Sequence, residues 1–151
     1  MIAEGNIWNN RTNMFERTLF FFDTGAQTSH VEEQFAKQLR LPITKSETST
    51  MTEIGGHTEE FLTHRLSVCI KTAFGTELLL TMKTKSVITK DFRAATLSGC
   101  DIQFLSQEES FLSNLSTQGE RQVPSILIGL DLDDKFVITN SPHIRFMIAE
   151  I

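Results

Sequence analysis

Apolar residues in this chain come in short runs separated by polar or glycine-bearing turns, the pattern of a domain built mainly from strands. Ile2 to Trp8 and Met14 to Phe22 read as two strands, and Asn9-Asn10-Arg11-Thr12-Asn13 between them as the turn of a hairpin. The spacing then changes to a helical one. Ser29 predicts an N-cap with Glu32 as its capping-box partner; Val31, Phe35 and Leu39 follow on one face, and Pro42 stops the helix after Leu41. From Glu47 to Met82 the period returns to two. Ser49–Ile54 and a run with Leu62, Leu66, Val68 and Ile70 on one parity flank Gly55-Gly56, which predicts a long hairpin with a flexible tip. Phe74-Gly75 marks the next turn, and Leu78, Leu80 and Met82 alternate after it.

The stretch from Lys90 to Gln122 carries the weakest pattern. Phe104, Leu105, Phe111, Leu112 and Leu115 suit a helix over Ile102–Leu115, followed by a loop at Ser116–Glu120. Val87-Ile88 predicts another short strand, and Ser125 to Leu130 is a fully apolar strand ending on Gly129. Lys135–Thr139 and Ile144–Ile151 are candidate final strands. No repeat or low-complexity tract interrupts the order. The expectation is one all-β domain over residues 1–151, with a flap hairpin at about 47–70, an insertion at about 90–122 and one or two short helices.

Composition narrows the function classes. A chain of 151 residues is long enough for one sizeable core. Its net charge of −5, without any Lys/Arg cluster, argues against a nucleic-acid or other phosphate-binding surface. Cys69 and Cys100 are far apart and lack partners at metal-ligand spacing, so free buried thiols in a reducing compartment are expected. Asp131, Asp133 and Asp134 lack the glycine and terminal Glu of a calcium loop, and His30, His57, His64 and His143 make no metal pattern. Neither metal nor cofactor is expected. No apolar run is long enough to span a bilayer, and Glu4, Asn6, Asn9 and Asn10 interrupt any signal-peptide pattern. An intracellular, cytoplasmic protein or an excised piece of a larger one is the expectation.

The candidate chemistry lies at Phe22-Asp23-Thr24-Gly25-Ala26, where an apolar strand breaks into a tight polar turn. Peptide hydrolysis without a metal or covalent nucleophile needs one carboxylate to activate water and a nearby acid to protonate the product. Two carboxyls placed side by side share one proton, so one serves as base and the other as acid. Gly25 lets the backbone turn and keeps bulk away from Asp23, Thr24 offers a hydroxyl, and small Ala26 leaves room for a substrate backbone. Asp-Thr-Gly occurs once in this chain, so the second carboxylate must come from another chain. A lone Asp-Thr-Gly is more often an ordinary turn. The apolar strand before it, the glycine-tipped hairpin after it and the apolar-apolar-glycine strand near the C-terminus favour the catalytic reading.

Phe21-Phe22-Asp23-Thr24-Gly25-Ala26-Gln27, Leu39-Arg40-Leu41-Pro42 and Ile126-Leu127-Ile128-Gly129-Leu130-Asp131 together resemble retropepsin-type aspartic peptidases, most nearly the peptidase domains of Pao/BEL-type retrotransposons such as those of nematodes. The resemblance runs in consistent order over nearly the whole chain. It implies a closed acid-protease barrel that forms a homodimer, each subunit giving one Asp to a shared cleft that cuts polypeptide. Asp23 would be catalytic, with Thr24 and Gly25 in interlocked loops. Ala26, Gln27 and Leu127 would contact substrate, Ile54, Gly55, Gly56 and His57 would form the flap tip, and Ile144–Ile151 would supply the strand pairing the subunits. The sequence departs from the retroviral pattern at Gln27 and Leu130, where an acid and an arginine usually pair; losing both strands no buried charge. A non-cleaving module that kept this fold to dimerise or hold a protein partner is the alternative.

Overall fold

Alternating positions become paired strands through most of the chain. β1 (Ile2–Asn9) and β2 (Met14–Phe22) form the expected antiparallel hairpin. Its turn is closed by Asn9, whose side-chain oxygen accepts the Arg11 and Thr12 amides at 2.8 and 3.3 Å, while Asn13 takes the left-handed conformation that Asn tolerates. Gly5 sits where a Cβ would come within 2.8 Å of the Phe20 ring, so its missing side chain makes room for that ring in the core. The computed structural model describes residues 1–52, 55–72, 75–107, 112–114 and 116–136.

The helix expected to begin at Ser29 begins later. His30–Glu32 form a short strand, β3, and α1 runs only from Glu33 to Gln38, with no side-chain cap at Glu32. Val31 pairs with Ile126 and Thr84, so sheet pairing on both sides overrides its helical spacing to Phe35. At the far end of α1, the Leu41 amide reaches the Ala36 carbonyl and the Arg40 amide reaches that of Lys37. This is a Schellman closure with Arg40 in the left-handed position that glycine usually fills.

β4 (Ile43–Thr52), β5 (Thr58–Lys71) and β6 (Glu77–Lys85) give the long hairpin and the strand after it. Val87-Ile88 form no strand. Instead β7 (Phe92–Arg93) pairs with β8 (Arg121–Gln122), and a Thr96–Gln118 bridge extends the pairing. The 90–122 insertion is thus a stem that carries α2 (Gly99–Gln107). That helix starts earlier than the apolar spacing predicts because Ser98 and Asp101 cap it reciprocally, at 2.6–3.2 Å. β9 (Ile126–Ile128) is the expected apolar strand. Of the strand expected over Lys135–Thr139, Lys135 and Phe136 instead end α3 (Leu130–Phe136) and the rest lies outside the described residues; Asp131 and Asp133 in the first turn of α3 and Lys135 in its last suit the helix dipole. The expected strand Ile144–Ile151 lies outside the described residues.

The closed barrel does not form. The main sheet is mixed and seven-stranded, in the order β1-β2-β9-β3-β6-β5-β4. β1 touches β5 only through the pairs Asn6–Lys71 and Ile7–Ile70, too short a ladder to close the sheet, because β5 spends the rest of its length on β4 and β6. Across the middle of the sheet, Phe20, Ile126, Val31 and Thr84 occupy paired positions on the buried face. Ile7, Leu66, Val68, Ile70, Met82 and Ile128 complete the core with α1, and each such fully buried side chain contributes about 1.5–3 kcal/mol. The many phenylalanines have a structural role here: Phe136 of α3 meets Phe20 and Phe22 at 6.4 and 5.7 Å, and Phe92 of β7 meets Phe21 at 5.0 Å.

Candidate functional site

Asp23 follows directly on β2, where that strand runs parallel to β9 with Phe22 opposite Ile128. The Asp23 amide donates to the Ile128 carbonyl at 3.0 Å, continuing the ladder by one bond, and its carbonyl accepts the Ala26 amide at 3.1 Å to close the turn. The half-buried Asp23 carboxylate accepts the Gly25 amide at 2.9 Å, an Asx-type turn that fixes the orientation of Oδ1. A side chain at Gly25 would place a Cβ 3.1 Å from that oxygen, so the glycine keeps the carboxylate uncrowded. Thr24, Gly25 and Gln27 are exposed and Ala26 is half-buried.

The loop is held from the C-terminal side by consecutive residues. Leu130 donates its amide to the Ala26 carbonyl at 2.9 Å, and Gly129 donates to the Ser29 hydroxyl at 2.9 Å. A Cβ on Gly129 would lie 2.7 Å from the Ala26 carbonyl oxygen and 2.9 Å from the Thr28 carbonyl carbon, both backbone atoms. Only glycine allows two chain segments about a hundred residues apart to cross this closely. Leu127 points away from the buried Ile126 and Ile128; it is half-buried and pairs with Phe21 and His30. Beside it, burial and then the nearby Lys85 hold the His30 pKa below its ordinary value, which favours the neutral ring.

The hairpin tip is open. Gly55 and Gly56 have φ of 117° and 85°, with open space where a Cβ would point, and His57 is exposed. Ile54 lies outside the described residues. Among the described residues no hydrogen bond joins this tip to the Asp23 loop, and β4 is the far edge of the sheet from the β1–β2 hairpin. Of the expected site residues, Asp23 to Gln27 and Leu127 stand where β2 meets β9, and Gly55 to His57 stand at the tip of the β4–β5 hairpin. No second carboxylate shares a hydrogen bond with Asp23 among the described residues.

Charge concentrates at the foot of the hairpin. Glu47 meets Lys83 at 3.0 Å, Arg65 at 3.1 Å and Lys45 at 3.4 Å. The Lys83 and Arg65 hydrogen bonds hold its pKa down to about 2. Next to it the β5–β6 ladder gives way to side chains: buried Thr63 donates its hydroxyl to the Thr84 carbonyl at 2.7 Å, and the Thr84 hydroxyl accepts the His64 amide at 2.9 Å. Beyond that joint the hairpin continues as a two-stranded arm.

Two residues outside the motif bear on the site. Ser29 is completely buried and donates its hydroxyl to Asp131. The nearest sequence signal was its place between the Asp23 turn and the expected helix, which a capping role explained equally well. The two cysteines are free, but Cys100 is exposed and Cys69 half-buried, so neither is the fully buried thiol expected. Burial, with Glu77 nearby, raises the Cys69 pKa. Among the described residues no group of three or more His, Cys, Asp or Glu is placed to hold a metal ion, and no helix is long and apolar enough to cross a membrane. Comparison with protein-family models, curated proteins and solved structures finds no match to this chain.

Proposed function

We propose that this protein is one subunit of an aspartic endopeptidase of the retroelement type, whose active site is completed by Asp23 of a second copy. The observation that carries this reading is the Asp23 turn, in which a half-buried carboxylate is oriented by Gly25 and its loop is seated on Ile128-Gly129. An Asx turn is an ordinary use of aspartate; what a turn that only reversed the chain would not need is so close a crossing by Gly129. In the assembled dyad, one carboxylate accepts a proton as water attacks the peptide carbonyl. The other, protonated, carboxyl gives its proton to the departing nitrogen as the C–N bond breaks. The glycine tip at Gly55-Gly56 has the backbone freedom to fold over a bound polypeptide and exclude water.

The direct test is cleavage of denatured casein across an acid-to-neutral pH series, with and without a statine-type inhibitor, by the native chain and by Asp23→Asn. Cleavage that is inhibited and is lost in the variant, with the fold and dimer retained, is the expected outcome. Cleavage unchanged by Asp23→Asn would overturn the assignment. Absence of cleavage in a stable dimer would favour the non-cleaving protein-binding module.

A further inference from the structure

The Ser29 hydroxyl has one proton to give and stands between two groups that would use it differently. Gly129 lies just past the end of β9, where no strand ladder supplies an acceptor for its amide. That amide donates to Ser29 Oγ at 2.9 Å, so the hydroxyl must send its own proton elsewhere. It sends it to Asp131 Oδ1 at 2.6 Å, the short distance of a bond to a charged acceptor. Asp131 itself is exposed, on the first turn of α3, and among the described residues Ser29 is its one hydrogen-bond partner.

We propose that Ser29 and Asp131 are a positioning pair for the Asp23 loop. The Asp131 carboxylate fixes which way the Ser29 hydroxyl points, and that hydroxyl fixes the Gly129 amide. On either side of Gly129, Ile128 and Leu130 hold the Asp23 amide and the Ala26 carbonyl at 3.0 and 2.9 Å. The chain of bonds therefore runs from an exposed acid to the backbone of the candidate catalytic turn. A residue without a side-chain acceptor at position 131, such as alanine, would leave the hydroxyl free to rotate and compete with its own acceptor role. Asparagine would restore much of the arrangement, because its carbonyl oxygen can accept the same proton.

The geometry of this pairing stands without any assumed activity, whereas its effect on turnover rests on the endopeptidase reading. The test compares the native chain with Asp131→Ala and Asp131→Asn, chosen because residue 131 is exposed. Carbon-detected NMR follows the Asp23 carboxyl, and proton NMR follows the Gly25 and Gly129 amides. In Asp131→Ala all three resonances are expected to shift and in Asp131→Asn to return towards native positions. Casein cleavage by Asp131→Ala should fall about tenfold in kcat with little change in KM, and Asp131→Asn should recover most of it. In the native chain the Ser29 hydroxyl proton should be visible and slow to exchange at neutral pH, a check that needs no variant to fold. A rapidly exchanging hydroxyl proton, or unmoved Asp23 and Gly25 resonances in Asp131→Ala, would overturn the pairing. If the native chain proves not to cleave casein, the endopeptidase reading fails while the NMR results still decide the pairing.

Discussion

The Asp23 turn and the Gly55-Gly56 tip are both polar ends of extended strands, yet they are held in opposite ways. The Asp23 turn lies against a crossing segment that meets it with three consecutive residues, through the Ile128 carbonyl and the Gly129 and Leu130 amides. Among the described residues the hairpin tip is paired by its own two strands, with open space at both glycines and the nearest outside support from Lys85 on Met51. The same residue type thus does opposite work: Gly129 permits a close approach, and Gly55 and Gly56 permit unusual backbone angles. The Asp23 turn is held both by its own bonds and by the segment that crosses it. In the proposed endopeptidase the seated turn would supply the fixed carboxylate and the open hairpin tip the movable cover.

Breaking the crossing should have the largest effect. Gly129→Ala forces a methyl against two backbone atoms and should destabilise the protein by about 3 kcal/mol, the upper range for overpacking, measured by urea denaturation. The joint below the arm comes next. Thr63→Val leaves the Thr84 carbonyl without its buried donor and should cost about 1–2 kcal/mol by the same method. Gly56→Ala meets no neighbour and should cost about 1–2 kcal/mol, from its left-handed backbone alone. Equal losses for Gly129→Ala and Gly56→Ala would erase the contrast between the two turns.

The smallest effect is expected from acid at the foot of the arm, where the ion pairs are partly open to solvent. The Glu47 pKa is depressed from 4.5 to about 2, so its contribution is fully present above the unfolded value and is lost as pH falls through about 2. The stability difference between the native chain and Glu47→Gln should therefore be constant near neutral pH and shrink from about pH 4.5 downwards. A difference that grew with acid would contradict the ion-pair geometry.

Strands that alternate over eight or more residues were legible, as in β1, β2, β5 and β6, because both faces leave a trace in the sequence. Elements decided by distant partners were not. β3 is three residues long and carries a helical apolar spacing, and only pairing with β6 and β9 makes it a strand. β7 and β8 are too short for any period. The last two residues of α3, Lys135 and Phe136, looked like the start of a strand, although the helix's acidic start and basic end were visible signals. At the candidate site the motif itself was readable, and so was Gly129. The Ser29–Asp131 link was not, since it joins residues 102 apart and each has an adequate local explanation.

The central claim is that Asp23 is half of a two-carboxylate site, and mixing the native chain with Asp23→Asn tests it most directly. With subunits exchanging freely and total protein constant, the casein cleavage rate should fall as the square of the native fraction, to roughly a quarter in an equal mixture. A rate that falls in simple proportion, to roughly half in that mixture, would mean that each chain works alone and would contradict the account.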